Sequence, residues 1–278
     1  MTGLVSWWGE ITAVSSIHHA GETRGTVTTL RRELILQPGG GRVEVPVISG
    51  NTFRGRLRRI GEELLRGSLR YEGLVSPAVA HVLRGGGALT KTGREPLSGA
   101  RLARLRELVP QLGVFGGAGG GCIIDGALTV HKVIPHARET NHVTGAESAA
   151  EVRRLTQLES YSRQDDGSTR GFAGLLPGAG AAGAVGQQMR FELETFPAGT
   201  VFAAGVQLRS PSPVEVSFFC DVLSEFSVRG YLGGRIGVGH GRVRVDLVCD
   251  QDLSERVDWR ELLASRRDET LEALTGLE

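Results

Sequence analysis

In the stretch VISGNTFRGRLRRIGEELL, residues 47–65, four arginines precede two glutamates. Arg54, Arg56, Arg58 and Arg59 fall in the first two turns of a helix whose apolar stripe is Phe53, Leu57, Ile60 and Leu64. A helix start carries partial positive charge and favours anions, so this order is unfavourable unless something negative arrives. Gly50 permits a tight entry and Ser49 or Asn51 can cap, leaving free N–H groups to face an anion beside Arg54 and Arg58. Phosphate suits such a place, because the guanidinium fork matches its geometry. A solvated basic face, tolerated at roughly a few tenths of a kcal/mol per charge, is the plainer alternative.

Three other stretches carry polar chemistry. In LGGRIGVGHGRV (232–243), glycines such as Gly234 let backbone amides approach a ligand, with Arg235, His240 and Arg242 adding reach. The loop fits neither nucleotide-binding glycine pattern, and its glycines can equally serve to turn the chain into a strand. SSIHHAGETRG (15–25) offers His18, His19, Glu22 and Arg24. A histidine pair can run acid–base cleavage of RNA and Glu22 can hold a metal, but no spacing fixes either, and contact with RNA is the stronger expectation. YSRQDDGSTRGF (161–172) joins an aromatic residue and arginines to Asp165 and Asp166, which read as turn chemistry before Gly167. Cys122, His131, His136 and His142 show no zinc spacing, so neither a metal nor another cofactor is expected.

The elements that must position these residues can be read coarsely. Residues 4–17 and Val27–Leu36 read as strands, 51–66 as the opening helix, and 77–84 and 99–109 as helices of an insertion spanning about 67–121. VFGGAGGGC (114–122) reads as a flexible hairpin and Ile123–Ile134 as strand. Regular patterning fails over 135–187, most of all in GFAGLLPGAGAAGAVG (171–186). Residues 189–195 alternate strictly and are expected to pair with Val201–Leu208 across FPAG. Residues 212–230 hold a conventional helix: Ser212 as N-cap, Pro213 next, Glu215 closing a capping box, and Gly230 at the end. A strand from Arg242 to Val248 and an acidic helix near 258–274 follow. The order strand, helix, strand, strand, helix, strand is the ferredoxin-like pattern of RRM domains, an α+β fold whose sheet face commonly binds RNA.

Composition narrows the classes. The 278 residues carry a formal net charge of +1, so no global basic field announces a nucleic acid. Charge is nevertheless polarised, with six arginines against two glutamates in 51–70 and eight acids against four arginines in 251–278. Lys91 and Lys132 are the only lysines, a bias that codon usage alone can produce. Three isolated cysteines argue for a reducing, cytoplasmic setting, and neither a membrane span nor a signal peptide is expected.

Three of these stretches, in this order and spacing, resemble the RAMP superfamily of CRISPR systems, specifically the backbone subunit that repeats along the guide RNA. PVISGNTFRGRLRRIGEEL is similar to the family's glycine entry into a basic helix, and LGGRIGVGHGRV to its C-terminal glycine-rich loop. LESYSRQDDGSTRGFAG lies where the family has its thumb, a long hairpin that pushes between guide bases. The likeness is greatest to type IV backbone subunits. It implies a palm over 1–249, a thumb over about 135–187, and a separate acidic helix over 250–278. It also implies head-to-tail copies on one guide RNA, a complementary target strand, and other effector subunits as partners. Through it, Tyr161, Arg163 and Gln164 become expected thumb contacts to RNA. Type III relatives cleave target with an aspartate near the end of the first strand, where IHHAGET offers only Glu22. A non-cleaving scaffold is therefore expected, with an endoribonuclease using His18, His19 or Glu22 as the alternative.

Overall fold

The computed structural model of the protein describes residues 3–88, 99–119, 121–163 and 189–277. Strand β1 (Leu4–Ala13) leads into two hairpins, β2–β3 (Ala20–Arg24, Val27–Leu30) and β4–β5 (Arg32–Leu36, Arg42–Pro46), and then the long helix α1 (Gly50–Leu69). Helices α2 (Pro77–Gly85), α3 (Gly99–Leu108) and α4 (Pro110–Phe115) precede the short strands β6 (Gly117–Gly119), β7 (Cys122–Ile124), β8 (Leu128–Val130) and β9 (Ile134–Pro135). After α5 (Asn141–Thr144) come β10 (Gln157–Arg163), β11 (Met189–Thr195), β12 (Val201–Arg209), α6 (Pro213–Arg229) and β13 (Val243–Cys249). Helices α7 (Trp259–Ser265) and α8 (Arg267–Thr275) follow.

The central sheet has the order β13–β1–β12–β8 with every pairing antiparallel, and β9 also pairs with β12. With α1 bridging β1 to β8 and α6 bridging β12 to β13, this is the split β-α-β arrangement of the ferredoxin-like pattern. The α+β expectation therefore holds. Both helices cover one face of the sheet, which alternation along the strands makes apolar: Val5, Trp7, Ile11 and Ala13 on β1, and Phe202, Ala204, Val206 and Leu208 on β12. Aromatic rings lock the layers, with Trp7 edge-on to Phe219 at 5.2 Å and Phe53 against Phe226 at 5.2 Å. Each such buried ring contributes about 1.5–3 kcal/mol over exposure.

Several boundaries differ from the sequence reading. The stretch Val27–Leu36 is two strands, because the chain changes sheet at Arg31, whose N–H donates to His19 and whose carbonyl accepts from Val47. Residues 189–195 do not pair with 201–208. Instead β11 pairs antiparallel with β10 and parallel with β3 in a second sheet, of order β10–β11–β3–β2. Phe196 is the reason: fully buried edge-on against Phe202 at 4.9 Å, it anchors the corner where the chain crosses between sheets. The expected strand Ile123–Ile134 is broken into β7, β8 and β9, and of the hairpin expected over 114–122, Val114 and Phe115 end α4 while β6 pairs with β7.

The C-terminal acidic segment is two helices built into the same core. Trp259 meets Phe218 edge-on at 5.0 Å and Leu274 is fully buried. One of its acids, Glu269, pairs with Arg104 and Arg266. The 67–121 segment also joins this core through Val79, Leu83, Val109 and Leu112. No helix among the described residues is long and apolar enough to cross a membrane.

Candidate nucleic-acid interface

The carboxyl end of β1 is where distant polar stretches meet. Immediately beyond it, Ile17 bridges Phe196 and His18 bridges Gly234, so the first strand, the root of the β10–β11 hairpin and the glycine-rich loop are stitched together. Among the backbone bonds that hold the loop are Leu232 N–H to Gly241 at 2.8 Å, Gly234 N–H to His18 at 2.8 Å, and Gly241 N–H to Ser16 at 2.8 Å. Those amides serve the fold and not an anion. Glycine is required where the backbones touch: a Cβ on Gly241 would lie 2.4 Å from the Leu232 carbonyl, at φ +88°. Arg235, by contrast, is a non-glycine residue at φ 55°, a left-handed conformation costing about 1–3 kcal/mol unless its surroundings enforce it.

That turn aims the Arg235 side chain at the hairpin root. Its guanidinium lies over the Tyr161 ring at 4.5 Å and donates to the Tyr161 hydroxyl at 2.6 Å. Tyr161 in turn stacks on Phe191 with centroids 5.4 Å apart and planes 20° from parallel. The result is a guanidinium–ring–ring stack, half open to solvent, of the kind on which a nucleobase can continue. His240 sits beside it with Nδ1 2.9 Å from Ser16 Oγ, and the Arg242 N–H donates to Ser15 Oγ at 3.0 Å.

The histidines divide the work. His18 is buried, and its Nδ1 donates to the Glu194 carbonyl at 2.9 Å. Burial, assisted by Arg235 and His240, holds its pKa below the ordinary imidazole value despite that bond. His19 lies against the start of α1, with Nδ1 3.4 Å from Thr52 Oγ1 and a buried Nε2 lacking a partner. Burial, then Arg31 and His18, lower its pKa too, so both rings are neutral at pH 7.

Of the two candidate caps at the start of α1, Ser49 is the one used: its Oγ accepts from Thr52 N–H at 3.3 Å, and the first turn holds no acid. Gly50 is needed there because a Cβ would lie 2.8 Å from the Val130 carbonyl. Asn51 is exposed beside it. The arginines are the main correction. Arg54 donates to the carbonyls of Leu128 and Phe115 (the latter at 2.9 Å), and buried Arg58 donates to those of Phe115 and Gly116, the latter at 2.8 Å. Neither presents its fork to the helix start. They cap the carbonyl end of α4, and burial drops the Arg58 guanidinium to about 10. Spacing of four put them on one flank of the helix, and the 110–115 segment made that flank interior.

Other expected residues lie apart. Arg59 is exposed on the outer side of α1, and Arg24 pairs with Glu22 at 2.8 Å on the exposed β2–β3 hairpin. Arg163 belongs to β10 by its backbone, while Gln164, Asp165, Asp166 and residues 171–186 lie outside the described residues. No cluster able to hold a metal occurs among the described residues. Sequence reasoning overlooked Arg31, placed beside His19 by the change of sheet, and Phe191, whose alternation marked it only as one face of a strand. So the structure brings together His18, His19, Ser49, Tyr161, Gly234, Arg235 and His240, and removes Arg24, Arg54 and Arg58.

A chain of a "Type IV-B CRISPR Complex" has the same fold with a TM-score of 0.61 and 29% identity, over 94% of this chain and 99% of that one. The protein is a relative of a type IV CRISPR complex subunit. The match leaves little of either chain uncovered. No family model matches the sequence, and no curated protein does.

Proposed function

We propose that this type IV CRISPR relative is a RAMP-superfamily backbone subunit that binds guide RNA without cleaving it. The observation that carries the reading is the convergence at the end of β1 of the Arg235–Tyr161–Phe191 stack, His240, Arg242, His19 and the acid-free start of α1. Cations and helix N–H groups bind phosphate, and phosphate contacts position a strand without reading its sequence. A subunit that must hold any guide while leaving its bases free for the target needs that kind of contact. The stacked aromatics at the root of the β10–β11 hairpin then mark where bases are parted.

Copies arranged head to tail would follow one guide RNA, an open heterologous assembly alongside other effector subunits in the cytoplasm. The non-catalytic part of the reading is supported by the bonds that two of the three candidate catalytic groups already make. Glu22 is paired with Arg24, and His18 donates its Nδ1–H to the Glu194 carbonyl.

The test is RNA affinity measured against salt for the wild type and the Arg235→Ala/Arg242→Ala double variant, using guide sequences of unrelated composition. Affinity should fall alike for all of them, and the slope of log K against log salt should shrink by about 0.7 per lost phosphate contact. An unchanged affinity and slope would sink the proposal. Magnesium-dependent cuts in added RNA would replace it with the endoribonuclease.

A further inference from the structure

The second face of the central sheet, opposite α1 and α6, has a feature that the strand-end site does not use. Trp8 is 46% exposed there, whereas Trp7 and Trp259 are 5% and 1% exposed in the core. Across the sheet it is paired with Gly205 on β12 and Val248 on β13. Its indole lies down on the sheet: a Cβ added at Gly205 would come within 2.2 Å of Trp8 Cε3 and Cζ3. Glycine on β12 thus lets the ring lie against the backbone. His131 leans against it with centroids 4.4 Å apart and planes at 44°.

The ring forms one wall of a groove of about 700 Å³ that includes Glu10, His131, Lys132, His136 and, on the far side, the Gly145–Ala146 turn. Its polar groups come in both signs and at short range. His131 Nε2 lies 3.3 Å from Gln207 Oε1, His136 Nδ1 lies 3.6 Å from Glu10 Oε1, and Lys132 Nζ lies 2.5 Å from Glu33 Oε2. A groove with balanced charge does not select phosphate. A flat aromatic platform bordered by alternating donors and acceptors fits the face and edge of a nucleobase.

We infer that the open sheet face holds one unpaired nucleobase, stacked on Trp8 with its polar edge toward His131 and Gln207. The inference rests on the reading above that a single strand passes the carboxyl end of β1. Trp8 lies five residues before Ala13, about 17 Å along the strand. The base site is therefore a second contact on the same strand, separate in residues and in chemistry from the phosphate contacts of Arg235 and Arg242.

The exposed indole is its own reporter. The full chain is titrated with oligouridylate while tryptophan emission is followed, and affinity is read separately from the anisotropy of labelled oligouridylate. Wild-type emission should be quenched on saturation, and the quench should vanish in Trp8→Phe, which retains a stacking ring and most of the affinity. Trp8→Ala should weaken binding by roughly tenfold. If Trp8→Phe keeps the full quench, or Trp8→Ala binds as well as wild type while Arg235→Ala/Arg242→Ala is weakened, the base site is wrong and the strand-end site stands. If Trp8→Ala alters only sedimentation and not affinity, the face meets another copy of the chain, which also overturns the inference. Failure of wild type to bind RNA at all removes both readings.

Discussion

Helices α1 and α6 lie side by side on one face of the same sheet, meeting through Phe53 and Phe226, yet they are started in opposite ways. Helix α6 has a complete capping box, Ser212 with Glu215, and buried Glu215 also takes a two-pronged bond from Arg106 at 2.7 and 2.9 Å. Helix α1 has a serine cap, no acid in its first turn, and arginines that leave sideways into the interior. The difference separates two uses of charge. At α6 the carboxylate neutralises the helix's own start, whereas at α1 the arginines neutralise the carbonyl end of a different helix, α4. The start of α1 has no acid to compensate it, and that is the end facing His19.

The comparison breaks most readily at Glu215. Glu215→Ala removes the carboxylate half of the capping box and strands Arg106, so unfolding free energy should drop by about 3–5 kcal/mol in a denaturant titration. Arg58→Ala comes next. It takes the Arg58 donor from the Gly116 carbonyl and leaves Arg54 as the side-chain donor to Phe115, and a loss of about 2–3 kcal/mol is expected in the same titration, with RNA affinity per folded molecule unchanged. A selective loss of RNA binding without loss of stability would restore Arg58 to the interface. Ser49→Ala should cost only about 1 kcal/mol, read as a small fall in Tm, because the single cap bond at α1 is a minor part of its stability.

The smallest effect is on pH. His18 and His19 have folded-state pKa values below the ordinary 6.5, so between those values and 6.5 the unfolded chain binds more protons. Their contribution to stability is full above pH 6.5 and is lost as the pH falls through the lowered values. Thermal unfolding should show a falling Tm on acidification below 6.5, reduced in His18→Asn/His19→Asn, whose neutral amides do not titrate in this range.

Much of the fold was legible because it is written in local terms. Ser212, Pro213, Glu215 and Gly230 delimit α6 by capping chemistry alone, and alternation in MRFELET marks a strand wherever that strand pairs. Pairing partners were not legible. The FPAG corner looks like a hairpin turn, and only the burial of Phe196 against Phe202 shows that the chain crosses there to another sheet. The interface was half legible for the same reason. Gly234, Arg235 and His240 announce a loop with polar reach, but the Tyr161–Phe191 stack that receives Arg235 comes from strands separated in sequence.

By itself, then, the sequence determined the α+β class, the two main helices, the capping box of α6 and the likeness to type IV CRISPR subunits. Those depend on periodicity, capping and motif order, which act between residues near one another in the chain. Tertiary structure alone decided which arginines are available to a ligand. Arg54 and Arg235 are the same side chain in two sequences that both look exposed, but carbonyls from the 115–128 region surround the first, while the second ends on an open aromatic ring. A guanidinium is committed by whichever acceptors the fold brings within reach, and that information lies in residues far along the chain.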